Sequence, residues 1–191
     1  MYKLNLLNSI WKFFGIYQTR KIRVIHLLIL LLVITQIVIS NWMEIAKTGV
    51  IVDQGYQFYC TWLHIILGIS LFFLVLYFII NCMKNKGIHY FFPYLFGDLS
   101  QIKKDIKLLS HLKLPESSAN GIATSVQGLG LGALFLVVSS GLIWLFLWLQ
   151  NAPLADEAKN IHKTLTGLIE IYIIGHGSMG LLHFILWHKY H

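Results

Sequence analysis

The sequence predicts an all-α membrane protein, a four-helix transmembrane bundle, and three observations carry that expectation. Of 191 residues, 57% are apolar and only 12% charged, far from the balance of a water-soluble domain. The apolar residues fall in four long blocks, at about 24–43, 60–83, 126–149 and 161–187, rather than in short periodic pieces. Each block reaches about 20 residues, which at roughly 1.5 Å per residue crosses a hydrocarbon core of about 30 Å. The chain reads as one membrane domain, residues 1–191.

The first block is longer than the apolar region of a signal sequence, has no small-x-small cleavage site and ends in Asn41-Trp42. It is expected to stay in the mature protein. The tail before it holds Lys3, Lys12, Arg20, Lys21 and Arg23 with no acid. The connection between the second and third blocks, about 84–125, adds Lys84, Lys86, Lys103, Lys104, Lys107 and Lys113. The other two connections carry Lys47 and Lys159 against Glu44, Asp53, Asp156 and Glu157. By the positive-inside rule, both termini and the long loop are expected to face the cytoplasm. Trp42, Trp62, Trp144 and Trp148 then fall near the outer interface and Trp187 near the inner one. The formal charge of +7 is thereby explained as topology, and its residues form no stripe with stacking aromatics that would suit nucleic acid.

In the second block, Cys60 and Cys82 stand about 22 residues, or roughly 33 Å, apart and cannot bridge. No C-x-x-C-H is present for covalent haem, and no paired cysteine motif suggests zinc or an iron–sulfur cluster. Within the long loop, Leu99, Ile102, Ile106 and Leu109 share one helical stripe, with Lys103, Lys104 and Lys107 off it. Asp98 and Gln101 read as a capping box and Pro115 as a stop. This segment is expected to lie as a short helix on the anionic inner leaflet, the alternative being a docking surface for a cytoplasmic partner. In the third block, Gly128 and Gly132 form a G-x-x-x-G expected to serve close helix packing.

The chemistry is concentrated in histidine. Of nine, His26, His64, His162 and His176 lie inside spanning blocks and His183 towards the end of the fourth. An ionisable side chain in lipid usually faces a bundle interior, a ligand or a polar path. His162 and His176 are 14 residues apart on one helix, so they point the same way at depths separated by roughly 21 Å. His64 enters from the outer side and His26 from the inner, which makes two levels with imidazoles from two helices each. Facing imidazoles across a bundle core are what six-coordinate b-type haem iron needs, the porphyrin supplying four nitrogens. The simplest pairing is His64 with His162 and His26 with His176, on helices one, two and four. His183, two turns beyond His176 on nearly the same face, matches the depth of His26 better by residue counting and stays open as the alternative inner ligand or a quinone contact.

"RKIRVIHLLILLL" at helix one, "WLHIILGISLFF" at helix two, "HYFFPYLFGDL" before helix three, "VQGLGLGALFLVVSSGL" within it and "HKTLTGLIEIYIIGHGSMGLLH" at helix four resemble the bacterial cytochrome b561-like family. That family includes the cytochrome b subunits of membrane-bound nickel–iron hydrogenases, formate dehydrogenases and thiosulfate reductases. The resemblance runs from about Arg20 to His188 and implies two haem b groups, with His26, His64, His162 and His176 as axial ligands. It also implies electron exchange between membrane quinone or quinol and a redox partner such as a dehydrogenase, a hydrogenase or a cytochrome c.

Gly68, Gly175 and Gly177 beside these histidines suit a flat haem and suit close helix packing equally. Arg20, Arg23 and Lys163 are candidate propionate contacts, although topology alone also places them there. Glu170 lies off the ligand face and is expected to hydrogen-bond between helices, with proton uptake in quinone chemistry as the sharper alternative. Two further functional readings stand beside the respiratory subunit: a stand-alone quinol-oxidising cytochrome b, and a transporter whose histidines bind a metal or relay protons. The transporter reading finds no broken helix or inverted repeat in this sequence.

Overall fold

The computed structural model describes residues 6–43 and 55–190. Lys3, Glu44, Lys47 and Asp53 of the charge argument lie outside them. Every described element is helical: α1 (Leu6–Tyr17), α2 (Arg20–Ser40), α3 (Tyr56–Lys86), α4 (Ile88–Phe91), a 3-10 turn (Pro93–Phe96), α5 (Ser100–Ser110), α6 (Ile122–Leu149) and α7 (Ala155–Tyr190). Four of these, α2, α3, α6 and α7, are long and apolar enough to cross a membrane.

The spans begin and end for local reasons. Thr19 opens α2, its hydroxyl accepting from the Ile22 N–H, so the helix starts four residues before the apolar block. Gly55 and Gly87 bracket α3 with φ of +86° and +83°, values that residues with a Cβ avoid. Between α6 and α7 the chain reverses through Asn151, where φ is +50°. Such a short connection makes the two helices antiparallel neighbours. Asp156 and Glu157 then occupy the first turn of α7, where negative charge suits the helix dipole.

The bundle is a row in which α2 packs on α3, α3 on α6 and α6 on α7. Its core runs through Ile29 and Val33, Leu71 and Val75, Val137 and Val138, and Ile169, one or two residues from each span. Most remaining large side chains on the spans point outward. That is expected where the outer solvent is hydrocarbon and helices associate through packing and hydrogen bonds rather than apolar burial. At one end Ile65, Trp144 and Ala158 cluster with Phe58 and Trp148, so the α3 and α7 starts meet the α6 terminus.

Three features were not expected. Residues 6–17 form α1, whose buried Phe13 meets the rings of Phe184 and Trp187 at 5.6 and 5.7 Å. The short helix α4 seats its backbone on α6: a methyl at Gly128 would stand 2.6 Å from the Phe91 carbonyl oxygen, whereas Gly132 faces nothing within 4 Å. The G-x-x-x-G is therefore not a paired interface between two spans. Its first glycine admits α4 and its second faces open space.

The third is a tether at α5. The capping box expected at Asp98 and Gln101 does not form. Asp98 instead accepts from the hydroxyl and backbone N–H of Ser100, and these bonds, with Asn120 and His89 alongside, hold its carboxyl below the usual carboxylate range. Gln101 donates to Asp105 at 2.8 Å, and the other Asp105 oxygen accepts the Ile122 N–H at 2.8 Å. Asp105, only 2% exposed, thus caps the third spanning helix from outside its own sequence. Gly121 lets the carboxylate approach, since a methyl there would overlap it. Asp105→Ala is expected to lower stability by about 1–3 kcal/mol, because it leaves a buried N–H unpaired. Asp105→Asn, which keeps an acceptor oxygen, should recover most of that loss. Thermal unfolding in detergent and proteolysis at residues 111–121 measure both, and an unchanged alanine variant would contradict the capping role.

Candidate functional site

Two imidazole pairs from different spans meet inside the row. His64 of α3 and His162 of α7 have ring centres 6.3 Å apart with planes at 79°. His26 of α2 and His176 of α7 have ring centres 6.2 Å apart with planes at 56°. The structure thus couples the four histidines that residue spacing had grouped. The His26 ring faces His176 and not His183, which is half-buried two turns further along α7.

A metal–imidazole bond of about 2.0 Å, plus about 1.1 Å from nitrogen to ring centre, places two rings sharing one ion about 6.2 Å apart. Both pairs have the ring separation that sharing one metal ion requires.

The surroundings orient the rings. His162 Nδ1 lies 3.1 Å from the Val137 carbonyl oxygen, which can only accept, so Nδ1 carries the hydrogen and Nε2 keeps its lone pair. Ser140 stands 3.0 Å from the same nitrogen and donates to the same carbonyl. Gly141 leaves room for the ring, whose Cε1 would be 3.1 Å from a methyl there. His64 Nδ1 is buried without a hydrogen-bond partner among the described residues. Gln36 reaches from α2 to donate to the His64 carbonyl at 3.0 Å. At the other level the Gln18 amide meets His26 Nδ1 at 3.1 Å. Phe78 stacks on His26 at 6.1 Å and Tyr172 on His176 at 5.2 Å.

Around His64 and His162 a cavity of about 470 Å³ is bounded by Gln36, Gly68 and Gly141, with Lys163 and Lys159 also in its wall. Such a volume is in the range of cofactor pockets. Lys163 is therefore placed to meet an acidic edge of a bound group. Glu170 lines this cavity too, although counting residues had set it off the ligand face. Arg20 instead lies in a separate shallow groove with Lys21, Val24, Ile25 and Tyr77. Arg23 is engaged by α1: its guanidinium stands over the Trp11 ring at 4.1 Å and donates to the Trp11 carbonyl.

Sequence reasoning passed over Gln36, Ser140 and Tyr172. Gln36 is a polar residue inside a spanning block, a signal of the same kind as the histidines. The Val137 carbonyl leaves no trace in a sequence.

A family model described as prokaryotic cytochrome b561 matches residues 17–191. No curated protein and no solved structure matches the chain.

Proposed function

The chain belongs to the prokaryotic cytochrome b561 family, and from that premise we propose that it is a di-haem b-type cytochrome carrying electrons between membrane quinone and a redox partner. In this reading His64 and His162 hold one haem and His26 and His176 the second. Each bound haem supplies a one-electron iron couple, and the protein sets its potential through ligands, hydrogen bonds and burial. The observation that carries the reading is the pair of imidazole couples at 6.2 and 6.3 Å, drawn from three spans at two levels.

The chain's own residues then have definite tasks. The Val137 carbonyl fixes the tautomer of His162 and makes Nε2 more basic, which favours the oxidised metal. Lys163 balances acidic groups at the cavity wall. The basic tail and long loop set the cytoplasmic side, as the positive-inside rule implies. The exposed Ile106, Leu108 and Leu109 of α5, tethered by Asp105 at the level where α6 begins, support a position of that helix on the leaflet surface.

The role is that of a membrane subunit in a respiratory oxidoreductase of hydrogenase or dehydrogenase type. The apolar stretch of α7 is only 6% buried, against 22–28% for the other spans, and this uncovered surface supports assembly with a further membrane helix.

Purified protein should show a b-type reduced-minus-oxidised spectrum with about two haems per chain. A colourless preparation would overturn the proposal, and a stoichiometry of one would overturn the two-site assignment. A copurifying catalytic subunit supports the assembly role, whereas quinol-oxidising turnover by the lone chain would replace it.

A further inference from the structure

Helix α6 contributes no histidine, yet it shapes the surroundings of two of the histidines on α7, His162 and His176. At the His162 level it does so by hydrogen bonding, through the Val137 carbonyl and Ser140. At the His176 level the contacts are ring to ring, and we infer that Tyr172 is a positioning residue for His176, itself held by a notch that Gly130 leaves in α6. The inference rests on His176 being a haem ligand, as proposed above.

Tyr172 and His176 are four residues apart on α7, so their side chains share a face. Their rings are nearly parallel, 9° apart, with centres separated by 5.2 Å. On the α6 side, the Tyr172 ring occupies the space that any side chain at Gly130 would fill: a methyl there would overlap both its Cζ and its hydroxyl. Gly130 is buried in the middle of α6, where glycine disfavours the helix relative to alanine. Room for Tyr172 accounts for its presence. His176 also meets His26, with ring centres 6.2 Å apart. The His176 plane is thus backed by a parallel ring that is itself seated in α6. At the first level Gly141 and Ser140 do the equivalent work with a hydrogen bond. In this reading the two ligands on α7 are oriented by different physical means, a hydrogen bond at His162 and a stacked ring at His176.

Low-spin ferric haem with two imidazole ligands gives an electron paramagnetic resonance signal that depends on the angle between the ligand planes. The full-length protein, purified and oxidised, is therefore compared with Tyr172→Phe, Tyr172→Leu and Gly130→Ala by this spectrum and by redox titration. The signal belonging to His176 is the one that His176→Ala abolishes. Tyr172→Phe, which keeps the ring, should reproduce the wild-type signal and midpoint potential. Tyr172→Leu removes the stack and Gly130→Ala displaces the ring, and each should shift that signal and its potential while the His162 signal stays in place. Unmoved signals in both Tyr172→Leu and Gly130→Ala, or equal movement of both signals, would overturn the inference. Wild-type protein without a low-spin ferric signal would instead defeat the haem reading and leave the Tyr172 contact a matter of packing alone.

Discussion

Replacing His162 with alanine is expected to take the haem content from about two per chain to about one, because iron held by a porphyrin needs both axial nitrogens to stay six-coordinate in this pocket. The effect should exceed that of removing an ordinary buried histidine. His162 faces His64 at 6.3 Å and is held through Nδ1 by the Val137 carbonyl and Ser140, so its loss opens the site on two sides. His64→Ala should give the same stoichiometry, and the double variant should lose no more than either single change, since one haem is lost only once. His89→Ala, at a half-exposed histidine of α4 paired with Asp98, should leave the content unchanged. Haem quantified against protein, together with the reduced spectrum, decides the matter. Full pigment in His162→Ala would remove the haem assignment at that level.

Much of this arrangement is legible in the sequence, for reasons that differ between elements. The four spans are visible because lipid tolerates no unsatisfied backbone, so each crossing must be a helix of continuous apolar composition. The two levels are visible because 14 residues on one helix give nearly whole turns. α1 was hidden by its shortness: twelve residues neither span a membrane nor fold alone, and its place is decided by Phe184 and Trp187 at the far end of the chain. The partner of Arg23 was hidden for the same reason, since the Trp11 ring that engages it belongs to that helix. The capping role of Asp105 crosses 17 residues, beyond the reach of a local motif. Gly130 and Tyr172 lie on different helices, and nothing in either sequence segment announces the other.

The unequal roles of His176 and His183 form the second large expectation. Counting inward from the helix ends favours His183, because His26 sits early in α2 while His176 is 14 residues from the end of α7. That count assumes that both helices end at the same height. In the structure the last turns of α7 are occupied by α1, with Phe13 against Phe184 and Trp187, so α7 continues past the level where α2 starts. Measured from ring to ring instead, His26 meets His176 at 6.2 Å. His176→Ala and His26→Ala should therefore each remove the second haem and spare the first, reproducing the loss of about one haem per chain seen from the other level. His183→Ala should keep both haems, with any change confined to quinone-linked turnover. The reverse outcome, a pigment loss in His183→Ala with His176→Ala intact, would require α7 to sit two turns deeper against α2 than its packing on α1 and on the Gly130 notch of α6 permits.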